Sequence, residues 1–180
     1  LPPGASAFDA ALAMTERHIA HICVVDQGKL CGVVLERDLF SLQRVDLVHL
    51  ARTIRHAGKL EALLALRPDI RQLVDNMLAH GASSTQITQL ITQLNDHMLC
   101  RVIELDLAAH GDPNIDFTWL CFGSEGRREQ TLHTDQDNGI LFEAESASES
   151  AAIRERLLPI AREINQRLAQ CGFTLCKGNI

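Results

Sequence analysis

Apolar positions recur along this chain with two different spacings, and the change from one to the other divides it. Leu47, Leu50 and Ile54, then Leu60, Leu63 and Leu64, return every three or four residues, the period of helices with one buried face. Gly58 marks a joint between them, and Arg67-Pro68-Asp69 interrupts the run. Pro68 suits the first turn of a following helix that carries Ile70, Leu73, Val74, Met77 and Leu78 and stops at His80-Gly81. Ser83 or Ser84 is placed to cap the longest helix, predicted over Thr85–Ala109. Its stripe is Ile87, Leu90, Ile91, Leu94, Met98, Val102 and Leu105, with Met77 and Met98 read as core. Its opposite face is polar (Gln86, Gln89, Gln93, Asn95, Asp96), so the stripe needs a packing partner from the preceding helices or another subunit.

On either side the pattern shortens. Ala7–Glu16 predicts a helix with Ser6 as its cap and Ala11, Ala13 and Met14 on its apolar side. Ile22–Val25 and Leu30–Leu35 predict two strands joined by the tight turn Asp26-Gln27-Gly28-Lys29, and Asp38–Gln43 predicts a further helix. Gly111-Asp112-Pro113-Asn114 is the clearest boundary. Beyond it Ile115–Phe122 leads into a central stretch, where the apolar run Trp119–Phe122 reads as a strand that breaks at Gly123-Ser124, and Ile140–Phe142 as part of a second. Glu143–Glu149 is an acidic, serine-rich loop, and Ala151–Gln170 a helix with Ile153, Leu157, Ile160, Ala161, Ile164 and Leu168 on one side. Cys171–Ile180 reads as a strand breaking into a glycine turn. The prediction is an α+β multidomain chain with segments 1–44, 45–111 and 112–180.

Composition narrows the function. With 180 residues, 46% apolar and 22% charged, the chain fits a globular protein. Its net charge of -6 argues against a general nucleic-acid binder, which needs a basic surface. No apolar run approaches the roughly 20 residues of a membrane span, and no basic-then-apolar leader is visible. The six cysteines (Cys23, Cys31, Cys100, Cys121, Cys171, Cys176) form no Cys-x-x-Cys pair and read as small buried hydrophobes in a reducing, cytoplasmic setting. His97 and Arg101 share a helix face with Glu104 nearby, which is ordinary surface pairing rather than metal-ligand spacing.

The chemistry concentrates between Trp119 and Phe142. If Thr134–Asp137 enters the second strand, a period of two puts Asp135 and Asp137 on one face. Two like charges facing one way call for a cation, and Mg²⁺ takes one or two carboxylates together with substrate phosphates. Gly123, Ser124 and Gly126 let backbone N–H groups approach an anion, with Arg127 and Arg128 beside them. The competing reading makes Glu125, Arg127, Arg128 and Glu129 a solvated loop and Asp135–Gly139 a hairpin turn. Arg128 and Glu129 could also simply pair with each other.

Gly-Ser-x-x-x-Arg followed by Asp-x-Asp resembles the signature of the polymerase-beta-like nucleotidyltransferase superfamily. The string GSEGRREQTLHTDQDNGILF is similar to a bacterial branch related to the uridylyltransferase of the nitrogen-regulatory signal protein, often joined to CBS domains. The resemblance implies that Gly123 and Ser124 hold the triphosphate of an NTP substrate. It implies that Asp135 and Asp137 hold Mg²⁺ or Mn²⁺, with Arg127 near the phosphates. The acceptor expected is a hydroxyl, such as one on a protein. His133 is not needed as a base, because a metal can activate the acceptor. Two alternatives remain on this reading: a non-catalytic nucleotide-binding regulatory module, and a metal-dependent phosphohydrolase on the same fold.

The segment IAHICVVDQGKLCGVVLERDL, with its helix–strand–turn–strand–helix order, resembles a CBS module over residues 1–44. Such modules act in pairs and this chain holds one, so a homodimer through this module or the helical segment is expected. In that family a Thr or Ser followed three residues later by Asp holds an adenine nucleotide. Asp38 matches the Asp, whereas Leu35 stands where the hydroxyl belongs. The family also implies a third acidic position on a later strand. The chain is therefore expected to be a fragment cut at both ends, inactive or nearly so alone, with that carboxylate beyond Ile180.

Overall fold

A computed structural model describes residues 1–40, 47–79, 81–111 and 113–176. Helix α1 (Ala7–Arg17) starts on a reciprocal cap: the Ser6 hydroxyl accepts the Asp9 N–H, and the Asp9 carboxylate accepts the Ser6 N–H. Strands β1 (His21–Asp26) and β2 (Lys29–Leu35) form an antiparallel hairpin. Gln27 and Gly28 close it with φ of 44° and 80°, the positive pair that a two-residue turn needs. Val24 opposes Gly32 while Val25 opposes Leu30, so Cys31 is an extra residue that bends the edge. Helix α2 (Glu36–Phe40) begins two residues before the expected Asp38, because the Asp38 carboxylate accepts the Leu35 N–H at 2.9 Å and closes the start. The expected continuation to Gln43 lies outside the described residues.

The helical segment is as the periodicity predicts: α3 (Leu47–Arg55), α4 (Leu60–Leu64), α5 (Arg67–Ala79) and α6 (Ser84–His110). Gly58 lies in the joint before α4, and Pro68 is the second residue of α5. His80, expected to end α5 together with Gly81, lies outside the described residues. Ser83 caps α6 by accepting the Gln86 N–H, while the Gln86 side chain accepts the Ser83 N–H. Leu90, Ile91, Leu94, Met98 and Val102 of α6 are buried with Leu50, Ile54, Leu73 and Val74.

One expectation for α6 fails. Gln93, assigned to a solvated face, is 8% exposed, Thr92 is buried next to it, and Asp106 is buried further along the helix. The helix is covered on more than one side, since the chain beyond it returns to pack there.

That returning chain forms β3 (Phe117–Cys121), α7 (Gly123–Gly126), β4 (Thr134–Asp135), β5 (Asn138–Phe142), α8 (Ala147–Cys171) and β6 (Phe173–Thr174). β3 pairs antiparallel with β5, and β4 pairs parallel with β6. Residues 134–142 are therefore two short strands with different partners. α8 starts four residues before the expected Ala151, because Ser146 accepts the Glu149 N–H and turns part of the acidic loop into a helix start. Ile164, Leu168, Cys171 and Phe173 join the core of α3–α6, so the helical segment and the sheet segment share one apolar interior. Of the cysteines, Cys171 is buried, Cys121 and Cys176 are partly so, and Cys23, Cys31 and Cys100 are exposed. The reading of all six as core is thus corrected. No helix among the described residues is long and apolar enough to cross a membrane.

Candidate functional site

The site begins with an anchoring pattern rather than with its charges. From Asp135 to Asn138 the side chains alternate, with Gln136 and Asn138 buried and Asp135 exposed. Gln136 is tied on three sides. Its N–H donates to the Thr174 carbonyl at 2.9 Å, and its Nε2 donates to the carbonyls of Phe173 (2.9 Å) and Asn165 (3.0 Å). Asn138 Nδ2 donates to Asn165 Oδ1 at 3.1 Å. With these two amides held against α8 and β6, the period of two turns Asp135 and Asp137 the other way. The strand break leaves that alternation intact.

The glycine turn is joined to this segment. The Phe122 N–H donates to the Asp137 carbonyl at 2.8 Å. Gly123 adopts φ 59°, and a Cβ on it would stand 2.2 Å from Asp137 Oδ2 and 3.2 Å from its Cγ. A side chain at position 123 would therefore displace the Asp137 carboxylate as well as strain the backbone. Ser124 follows in α7, which replaces the open turn expected from the sequence with one helical turn. Among the described residues, neither Asp135 nor Asp137 has an ion-pair partner.

The arginines are placed differently from the expected Arg128–Glu129 pair. Arg127 Nε binds Glu129 Oε2 at 2.9 Å on the surface. Arg128, at φ 58°, instead reaches Glu16 of α1 at 3.2 Å. Glu129 is thus already taken by its nearer neighbour.

Beneath the turn the structure holds a group that reading the residues as a solvated loop misses. Glu125 is 7% exposed, and burial, then the negative charge of Asp96, push its carboxyl up to about 7, with the Cys121 thiol opposing. Cys121 is pushed up to about 12, first by burial and then by Glu125. Gln130, fully buried, fastens the same segment to α6: its N–H donates to Thr92 Oγ1 at 3.1 Å, and its Oε1 accepts from Asn95 at 3.0 Å. The strict alternation of HTDQDN was the available signal for Gln136 and Asn138; Glu125 and Gln130 left none.

Two other clusters stand apart from this chemistry. Arg101 pairs with Glu104 at 2.6 Å and donates to the Ala57 carbonyl, whereas His97 is half-buried and faces His18, with ring centroids 5.6 Å apart. The expected surface pairing therefore holds for Arg101 alone. Asp106, His110 and Glu163 bring ligand atoms within 4.8 Å of one another. Arg167 already supplies positive charge there, at 3.0 Å from Asp106 and 2.9 Å from Glu163.

A helix–hairpin–helix unit, a helical block, and a glycine turn packed against Asp137 make up a CBS-like unit joined to a nucleotidyltransferase-like segment. Comparison with known families agrees. The chain belongs to the family described as Putative nucleotidyltransferase DUF294, whose model matches residues 68–180. A CBS domain model matches residues 1–44. The family match begins at Pro68, so α5 and α6 fall within it together with the sheet. No curated protein and no solved structure matches the chain.

Proposed function

We propose that the protein transfers a nucleoside monophosphate from a nucleoside triphosphate to an acceptor hydroxyl, for instance on a protein, at Gly123, Ser124, Arg127, Asp135 and Asp137. The carrying observation is the Asp137 carboxylate lying where a Gly123 side chain would be. It supports a reading in which the glycine turn accepts an anion beside the Asp137 carboxylate, with Asp135 two residues away along the chain. Those oxygens suit Mg²⁺ or Mn²⁺, and Asp135 and Asp137 are the residues to hold it. A bound divalent ion would neutralise the triphosphate and lower the pKa of the acceptor hydroxyl.

The chain's own groups do the rest. The first N–H groups of a helix have no intrahelical acceptor, so those of Gly123 and Ser124 are the donors for the β and γ phosphates. Gln136 and Asn138 hold the two aspartates in register. Arg127 leaves Glu129, an exposed and therefore weak pair, to meet charge developing on the phosphates. The acceptor oxygen bonds to the α-phosphorus as the bond to the departing pyrophosphate breaks, and the hydroxyl proton passes to solvent water. In this reading the CBS module is regulatory, while Asp38, the residue that would hold an adenine nucleotide, serves as a helix cap. Leu35 offers no hydroxyl to such a ligand, and the Asp38 carboxylate already holds the Leu35 N–H. Val25, Leu30 and Val33 are exposed apolar residues on the hairpin, 63% for Leu30, which supports pairing with a second copy. Exposed free Cys23, Cys31 and Cys100 support a reducing, cytoplasmic setting.

Titration calorimetry with each nucleoside triphosphate, with and without Mg²⁺, tests the assignment. Binding that needs the metal, and that is lost in Asp135→Asn and Asp137→Asn without a change in the thermal unfolding profile, is expected. Equal affinity in the wild-type protein and both variants would sink it.

A further inference from the structure

A cavity of about 500 Å³ opens between the start of α5, the middle of α6 and the β4–β6 pair, a volume in the range of small-molecule sites. Its wall is mostly apolar: Ile70, Ile91 and Met98 of the helical block meet Leu132 and Phe173 there.

The charged side chains on that wall are of one sign. Arg67 and Arg71, one helical turn apart at the start of α5, both line it, and among the described residues no Asp or Glu does. Neither arginine forms an ion pair among the described residues. Arg67 is seated against the turn after α8, where a Cβ on Gly172 would stand 2.8 Å from its Nη2 and 2.9 Å from its Cζ. The other titratable groups on the wall are His133, neutral or cationic, and Cys171, whose thiol burial pushes up to about 11. Two cations at the N-terminal end of a helix also oppose its dipole, and an anion between them relieves both repulsions.

The neutral polar groups of the wall are already engaged. Asn95 donates to Gln130 at 3.0 Å, Gln130 donates to the Thr134 hydroxyl at 3.3 Å, and that hydroxyl donates to the Asp135 carbonyl at 3.4 Å. Little is left there to read a sugar or a base.

We propose that this cavity binds a small organic carboxylate with an apolar body, the carboxylate accepting from Arg67 and Arg71 and the body lying against Ile70, Leu132 and Phe173. A bare inorganic anion leaves the apolar wall in water, and a neutral apolar molecule leaves the two arginines unmatched. Gly123, Ser124, Asp135 and Asp137 do not line the cavity, so the site is separate from the nucleotide site. It adjoins that site through Thr134, which lines the cavity and precedes Asp135 in β4.

The test is calorimetric titration and thermal unfolding of the protein with phenylacetate, phenylpropionate and hexanoate at millimolar concentration. At least one of the three is expected to bind and raise Tm, while its primary amide and inorganic phosphate bind more weakly by a factor of about ten or more. Arg67→Gln and Arg71→Gln should each weaken binding about ten- to hundredfold, the value of a hydrogen bond to a charged group. Both side chains are exposed, so the thermal unfolding of the unliganded variants should match that of the wild-type protein. Asp137→Asn should leave the affinity for the carboxylate unchanged. No binding by any of the three carboxylates, equal binding of the amide or of inorganic phosphate, undiminished binding in both arginine variants, or loss of binding in Asp137→Asn overturns the proposal.

Discussion

Glu125 offers the sharpest check on the architecture beneath the glycine turn. Its folded carboxyl titrates at about 7 against an ordinary 4.5, so the folded protein keeps a proton that the unfolded chain releases. The sign follows from linkage: stability falls as pH rises through that window and levels off above it, because the folded state binds more protons. At about 1.4 kcal/mol per pH unit, the whole window is worth about 3 kcal/mol. Glu125→Gln removes the ionisation while keeping the shape and the burial. Wild-type and variant should be close in stability at about pH 5 and separate at about pH 8, where the variant is the more stable by up to about 3 kcal/mol.

Urea unfolding followed by circular dichroism reads this directly. For a slope of about 1–3 kcal/mol per molar urea, the midpoints at the higher pH should differ by on the order of 1 M. The reasoning assumes that the destabilisation comes from burying a charge with Asp96 nearby. If the two midpoints track each other at both pH values, Glu125 is not held in that environment and the description of α7 is wrong. A gain in the variant at the lower pH alone would refute it equally, since the sign would be reversed.

His97 should act in the opposite direction. Burial, Arg55 and His18 hold it down to about 4, so stability should fall as pH drops from 6.5 toward 4, by about 2 kcal/mol at about pH 5, and His97→Asn should flatten that dependence in acid-unfolding curves. Gly123→Ala should cost only about 1 kcal/mol of stability in chemical denaturation, the strain of a non-glycine residue at positive φ. It should nevertheless abolish metal-dependent nucleotide binding in calorimetry, because its Cβ turns the Asp137 carboxylate aside. Leu94→Ala, at a fully buried position of α6, should lower stability by about 2–5 kcal/mol with correspondingly lower urea midpoints.

These expectations differ in how far the sequence could supply them. The helices of the central block were legible because repeated Leu and Ile positions and the Ser83-x-x-Gln86 cap encode local structure directly. The burial of Thr92 and Gln93 was not, because an amphipathic pattern presumes one packing partner and α6 has several. Its second partner arrives through Gln130, which lies 38 residues from Thr92 along the chain. The same limit hides Arg128: its partner Glu16 lies 112 residues away, while Glu129 stands next to it in sequence.

The segment that carries the two aspartates shows how a local prediction can be partly wrong. The expected alignment of the two aspartates is conditional on Thr134–Asp137 entering the second strand, and the structure has two short strands instead, with β4 on β6 and β5 on β3. The prediction that Asp135 and Asp137 point the same way needs only the extended alternation, and alternation survives a change of hydrogen-bonding partner. It survives here because Gln136 and Asn138 are held by carbonyl and amide groups of Phe173 and Asn165, across the break. The amides between and beside the aspartates therefore anchor this segment to α8 and β6. Replacing Gln136 by Leu would leave both carboxylates in the chain while removing the bonds that orient them. Metal-dependent nucleotide binding should accordingly weaken in that variant although no ligand residue has changed.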